Sequence, residues 1–110
     1  MIARIWHGEV PLARADEYMR LMRDVALPDY TATPGNLGAQ ALRRDEDDRA
    51  HVLMLTFWES REAIVAFAGP DISVARYYDF DADFLVSFEP TVDHYEVTAG
   101  SPPVDATEPG

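Results

Sequence analysis

The strongest constraint on this chain of 110 residues is an uninterrupted apolar run near its middle. Residues 52–58 read Val-Leu-Met-Leu-Thr-Phe-Trp. Successive side chains of a strand point to opposite faces of its sheet, so this strand would be apolar on both faces. Helices on one side of a small sheet cover only one of them. An apolar second face indicates an interface, and we predict a homodimer with two-fold symmetry in which two sheets pack face to face.

Composition narrows the class of protein. Hydrophobic residues make up 47% of the chain, which is enough for the core of one domain. There is no cysteine, so disulfides and thiolate zinc sites are excluded. A net charge of −11 disfavours binding to nucleic acid and to anionic membranes. Without a basic leader or a long apolar span, the chain is expected to be soluble and cytoplasmic.

Periodicity and turn residues predict the order of the secondary structure elements. The predicted ranges are a strand over 2–7, a helix over 13–27 stopped by Pro28, a loop over 29–38, strands over 38–44 and 51–58 joined by an acidic turn at 45–48, a helix over 61–68 capped by Ser60, short helices over 71–78 and from 79 or 81 to 88, and a strand over 91–97. This is the α+β, ferredoxin-like order βαββαβ, with an antiparallel sheet. Residues 1–98 would form the domain, and the Pro- and Gly-rich residues 99–110 a disordered tail.

Four segments resemble the antibiotic biosynthesis monooxygenase-like (ABM) family of the dimeric α/β-barrel superfamily. They are IARIWHG at the start, TPGNLGAQALRR in the middle, LTFWESREAIVAFAGPDI after the third strand, and VDHYEV near the end. The resemblance covers roughly residues 2 to 97. It implies a dimeric barrel built from two ferredoxin-like subunits. The superfamily includes several chemistries, so the resemblance implies less about the reaction than about the fold.

No motif for a bound cofactor accompanies these segments. A metal site would have to combine the three histidines at 7, 51 and 94 with carboxylates, and the only close pairing is His94 with Glu96 on one strand. The glycines at 35 and 38 are not followed by a predicted helix, so they do not form a phosphate loop. We therefore predict no metal and no cofactor.

Aromatic side chains dominate the elements that the fold would bring together. Those expected to line a small-molecule pocket are Trp6, His7, Trp58, Phe67, Tyr77 and Phe84. Such residues are also ordinary core residues, and the functional interpretation depends on the polar groups among them. His94 is the predicted general base towards a phenol, because its ordinary pKa lies near neutral pH, and Tyr78 is the second predicted catalytic residue.

The resemblance implies two activities. Some family members oxidise aromatic polyketides without metal or flavin, which favours a cofactor-independent monooxygenase acting on a phenolic or quinone-type molecule. Other relatives degrade heme with a strand asparagine, a tryptophan and a histidine. Counted from the WES segment, the positions of that tryptophan and that histidine are occupied here by Phe67 and Tyr77. The first strand of this chain has no asparagine. A heme-binding protein and a non-catalytic binding protein remain the alternatives.

Overall fold

The computed structural model describes residues 1–101, apart from the side chain of Phe88. Most of the predicted tail, residues 102–110, therefore lies outside the described residues. The elements are β1 (Ile2–Pro11), a 3₁₀ turn (Leu12–Arg14), α1 (Ala15–Leu21), a π-helical turn (Met22–Ala26), α2 (Leu27–Ala32), β2 (Asn36–Glu46), β3 (Arg49–Trp58), α3 (Arg61–Ala68), α4 (Asp81–Phe84), β4 (Ser87–Phe88) and β5 (Asp93–Glu96). No helix within residues 1–101 is long and apolar enough to cross a membrane.

The strands form one antiparallel sheet in the order β2-β3-β1-β4, and β5 also pairs with β1. The short strands β4 and β5 share one edge of β1: β4 pairs at Gly8 and Glu9, and β5 pairs from Ile2 to Ile5. The sheet is thus four strands wide, with β1 and β3 at its centre. The predicted α+β, ferredoxin-like fold is confirmed.

The two faces of β3 differ in how they are covered. Ala50, Val52, Met54, Thr56 and Trp58 are buried against the helices. The alternate residues Leu53, Leu55 and Phe57 are only half-buried, on the face that carries no helix. Neighbouring strands add Ile5, Leu42 and Tyr95 to this open face through their pairing with β1 and β3. The apolar second face expected from the sequence is therefore present.

The first helical region is longer than predicted, because Pro28 does not end it. Proline lacks a backbone N–H, and it normally breaks or kinks an α-helix when it lies beyond the first turn. Here the preceding turn, Met22–Ala26, is π-helical, and Pro28 falls in the first turn of α2. The helical path stays continuous at this point, because Leu27 N donates to Met22 O in the wider π-helical pattern. The predicted loop over 29–38 therefore begins only at Thr33.

The chain after α3 is less helical than predicted. Ser60 caps α3 as expected, accepting a hydrogen bond from Ala63 N at 3.2 Å. The helix predicted over 71–78 is absent, because this segment pairs with the approach to β5: Ala75 N donates to Pro90 O at 2.9 Å, and Val92 N donates to Ser73 O at 2.9 Å. The next predicted helix ends at Phe84 instead of 88, where β4 joins the sheet. Tertiary pairing overrides a weak helical pattern in both places.

Candidate functional site

A small cavity lies between the central strands and the first helical region. Its lining residues are Trp6, Tyr18, Met22, Ala26, Tyr30, Met54, Arg76, Tyr78 and Asp81. Its free volume is about 10 Å³, close to the room that a single water molecule needs. An aromatic ligand would therefore have to move some of these side chains apart.

The helical wall of the cavity depends on the π-helical turn. Tyr18, Met22, Ala26 and Tyr30 recur every fourth residue along the chain. In a regular α-helix of 3.6 residues per turn, a four-residue repeat drifts around the axis by about 40° at each step. The wider π-helical turn at Met22–Ala26 reverses part of that drift. All four side chains consequently reach the same cavity.

Asp81 is the buried carboxylate of the cavity. It is 3% exposed, and it accepts hydrogen bonds from the Tyr18 hydroxyl at 2.7 Å and from Tyr78 N at 2.6 Å. Burial raises the pKa of Asp81, and the two hydrogen bonds partly offset the rise. Burial and the neighbouring Asp81 also raise the pKa of Tyr18, so Tyr18 stays a protonated donor.

The Tyr78 hydroxyl links the cavity to α2. The Tyr78 hydroxyl donates to Asp29 at 2.7 Å, and Asp29 forms an ion pair with Arg76 at 3.0 Å. The Arg76 guanidinium also lies 4.4 Å from the centre of the Phe67 ring. Burial raises the pKa of Tyr78, as does its bond to Asp29. These contacts hold Tyr78 in place with its phenol protonated.

Trp6 contributes an unused hydrogen-bond donor. It is 6% exposed, and its Nε1–H is buried without an acceptor among the described residues. Tyr77 packs edge-on against Trp6 with ring centres 6.0 Å apart. Burial raises the pKa of Tyr77, and the nearby Trp6 indole N–H partly offsets this rise. The indole N–H and Tyr77 do not meet the geometry of a hydrogen bond. Gly8 leaves room for the indole, since a Cβ there would lie 2.6 Å from it.

The remaining predicted pocket residues form a second layer around the cavity. The Phe67 ring stacks on Tyr30 at 4.4 Å, and Trp58 lies 5.6 Å from Phe67. Phe84 lies 5.3 Å from Tyr18. Of the predicted site residues, Trp6 and Tyr78 line the cavity directly. The other predicted aromatic residues pack behind the rings that line the cavity; they are Trp58, Phe67, Tyr77 and Phe84.

His7 and His94 do not line this cavity. His7 is on the open face of the sheet, where its Nε2 is 3.2 Å from His51 Nδ1 and its Nδ1 is 3.1 Å from Glu89. His94 Nε2 is 3.1 Å from Arg4 Nη1. Arginine is always a donor, so His94 accepts this bond as the neutral ring. His94 therefore has a structural partner, and a catalytic role for it stays a prediction.

Several cavity residues escaped the sequence reasoning. The sequence places Tyr18, Met22 and Ala26 within the predicted helix over 13–27, and their four-residue spacing is the signal that could have singled them out. Asp81 lies at one of the two predicted starts of a short helix, and nothing in the local sequence connects it with Tyr18, 63 positions away. Arg76 and Asp29 are also far apart in the sequence, and only the tertiary structure brings them together as an ion pair.

The donors around the cavity fit a metal or heme poorly. Within residues 1–101, no group of three histidine, cysteine or carboxylate side chains is arranged to hold a metal ion. The cavity's nitrogen donors come from tryptophan and arginine, which are not heme ligands. Its tyrosines have raised pKa values, about 12 for Tyr30, which disfavours the phenolate that ferric heme would need. The polar groups that the cavity does present are a carboxylate, tyrosine hydroxyls and an indole N–H.

These features define a class: an α+β, ferredoxin-like protein with a small cavity between its sheet and its helices. More narrowly, the chain belongs to the antibiotic biosynthesis monooxygenase family, whose model matches residues 1–71. Arg76, Tyr78 and Asp81 lie beyond the matched region. No curated protein sequence matches the chain.

Solved structures share the fold at low sequence identity. A Nitrosomonas europaea protein classed with the antibiotic biosynthesis monooxygenases is 18% identical, with a TM-score of 0.66 over 90% of this chain and 100% of that one. The heme-degrader MhuD of Mycobacterium tuberculosis, solved with two hemes in its active site, is 23% identical, with a TM-score of 0.64 over 93% and 100%. A Bacillus cereus protein of the same class is 16% identical, with a TM-score of 0.60 over 93% and 97%. At these identities the similarity shows the fold alone.

Proposed function

We propose that this protein is a cofactor-independent monooxygenase that acts on a small phenolic or quinone-type aromatic molecule. The observation that carries the proposal is the pairing, in one aromatic-walled cavity, of a buried carboxylate on Asp81 with a buried Trp6 N–H that has no acceptor among residues 1–101. Buried polar groups without partners are rare in folded proteins, because each costs free energy unless something binds it. A ligand with polar substituents at its ends would give Trp6 its missing acceptor and would donate a further hydrogen bond to Asp81.

The chemistry of such ligands needs little from the protein. Removing the proton of an electron-rich phenol gives an anion that reacts directly with dioxygen. Oxidation of a ring CH₂ to a carbonyl consumes one O₂ and releases one water, so atoms and electrons balance without an added reductant. The tasks left to the protein are to bind, orient and deprotonate the ring and to exclude water.

We further propose that the working form is a homodimer. The open sheet face carries half-buried Leu53, Leu55 and Phe57, and its rim has exposed Leu42 and Tyr95. An apolar face of this kind is characteristic of an interface. A second copy would cover it through an isologous, two-fold contact.

Heme binding is the second candidate, and the similarity to MhuD favours it. The cavity lining argues against heme, because it includes no histidine from the described part of the chain. Titration with hemin separates the two candidates: a heme protein would give a sharp Soret band at one equivalent. A broad spectrum typical of free hemin would count against the heme candidate.

Oxygen consumption tests the leading proposal. We expect oxygen uptake with a panel of hydroxyanthrones and hydroquinones. Ala26→Leu, which fills the cavity, should lower uptake at least tenfold, while Ala32→Leu, on the exposed surface of α2, should leave it unchanged. Overpacking at Ala26 costs about 1–3 kcal/mol, so melting curves must show that the variant is folded. No uptake by the wild type with any member of the panel would overturn the proposal.

A further inference from the structure

We propose that Asp81 is the proton acceptor of this site, that Tyr18 positions it, and that the Trp6 indole N–H binds a second oxygen of the same ligand. This inference rests on the proposed function, and it narrows the substrate class to aromatic rings with two oxygen substituents. One substituent would be a hydroxyl that donates to Asp81. The other would be a hydroxyl or carbonyl that accepts from Trp6.

The hydrogen bonds of Asp81 leave room for a ligand. An ionised carboxylate has about four acceptor positions on its two oxygens. Tyr18 uses one position on Oδ1 and Tyr78 N uses one on Oδ2. A ligand hydroxyl in the cavity can take a third. The two bonds from Tyr18 and Tyr78 also fix the direction of the carboxylate, as a proton acceptor requires.

The charges around Asp81 favour proton uptake. No arginine or histidine within residues 1–101 forms an ion pair with Asp81, and the cavity's own cation, Arg76, is paired with Asp29 at 3.0 Å. The other titratable groups that act electrostatically with Asp81 are Tyr18, Tyr30 and Tyr77. All three are tyrosines with raised pKa values, so none compensates the carboxylate's negative charge.

A purely structural role does not require a carboxylate at this position. The bond between Tyr18 and residue 81 joins α1 to the start of α4, and a neutral amide oxygen could accept it. A buried, unpaired charge is expensive to keep. Buried acids with raised pKa values cluster at functional sites, where the carboxylate is needed for its proton affinity.

The proton transfer balances within the site. The ligand O–H bond breaks, its proton forms a new O–H bond on Asp81, and the electron pair stays on the ligand oxygen. The negative charge thus passes from Asp81 to the ligand, so the net charge of the cavity is unchanged. Where the second oxygen is a conjugated carbonyl, delocalisation carries part of this charge to it; in either case the Trp6 N–H donates to that oxygen. Dioxygen is needed only in the subsequent oxidation.

The test separates proton transfer from oxidation by omitting oxygen. The probe is 1,3-dihydroxynaphthalene, whose ring hydrogens exchange with D₂O through its anion. Exchange is followed by NMR under anaerobic conditions, and oxygen uptake is measured in parallel. The variants are Asp81→Asn, Tyr18→Phe and Trp6→Phe. The matched control is Asp83→Asn, an exposed aspartate on the same short helix.

We expect Asp81→Asn to slow the exchange by about two to four orders of magnitude and to abolish its rise with pH. Tyr18→Phe should move the midpoint of that rise to higher pH, because it removes a hydrogen bond that favours the ionised acid. Trp6→Phe should slow exchange at least tenfold without moving the midpoint. Asp83→Asn should behave as the wild type.

The outcomes distinguish this inference from the proposed function. Exchange at the wild-type rate in folded Asp81→Asn protein overturns the role of Asp81, even if oxygen uptake persists. Exchange that depends on Asp81, without any oxygen uptake, supports the proton acceptor and overturns the oxygenase. An absence of exchange in the wild type overturns the inference as well.

Discussion

At the scale of single residues, Arg4 is the clearest example of a side chain whose role comes from its contacts. It is 1% exposed, and it donates to the carbonyls of Ile72 and Val74 and to His94. No carboxylate within residues 1–101 forms an ion pair with it. The bond to His94 requires a neutral imidazole, because a protonated ring would present a second donor and a second positive charge.

The pKa of His94 gives this contact a pH dependence. Burial, and then Arg4, lowers the pKa of His94 below its ordinary value of 6.5. The unfolded chain therefore takes up this proton before the folded chain does. The contribution to stability is complete above about pH 6.5 and is lost as the pH falls through the folded-state pKa.

We expect His94→Gln, whose amide oxygen can still accept from Arg4, to remove this part of the pH dependence. The free energy of unfolding should fall less between pH 7.5 and pH 5.5 in the variant than in the wild type. Urea denaturation at both pH values measures the difference. Asp81 acts in the opposite direction, since its raised pKa stabilises the fold most at low pH, but its contribution is common to both proteins. Equal slopes would show that His94 does not titrate against Arg4.

At the scale of elements, the π-helical turn is the feature that shapes the cavity. A π-helical turn holds one residue more than the α-helical turn it replaces. Removing one residue from Met22–Ala26 should therefore convert it into regular α-helix without rotating the segments on either side. The same deletion in a regular helix rotates everything beyond it by about 100°.

Two exposed valines allow a matched comparison. Val25 in the π-helical turn and Val65 in α3 are both 41% exposed. Deleting Val25 should lower the melting temperature by less than about 5 °C, which for a chain of this size is roughly 1 kcal/mol. Deleting Val65 should lower it much further, because it turns Phe67 out of the core. Thermal unfolding followed by circular dichroism compares the two, and equal losses would mean that the π-helical turn is not a removable insertion.

At the scale of the whole molecule, the uncovered sheet face governs assembly. Leu55 lies at the centre of that face, between Ile5 and Gln40 on the neighbouring strands. A charge placed there would be buried without a partner in a face-to-face dimer. The monomer tolerates the same charge, because this side of the sheet meets water.

We expect the wild type to behave in light scattering as a dimer of two 12.3 kDa chains. Leu55→Lys should give a folded monomer, and Leu12→Lys, in the exposed 3₁₀ turn that follows β1, should remain dimeric. Lysine is chosen because it reduces the net negative charge, so general repulsion cannot explain dissociation. A wild-type monomer at tens of micromolar would rule out the face-to-face dimer.

The sequence by itself determined the features that depend on neighbouring residues. The two apolar faces of β3, the Ser60 cap and the ferredoxin-like order of strands follow from side-chain alternation and local hydrogen bonding, and all three are present. Only the tertiary structure decided the path of residues 71–88 and the bond between Tyr18 and Asp81. Local patterns cannot report these features, because contacts between distant segments override weak propensities. The cavity is made of such contacts, so its polar residues became visible only once the chain was folded.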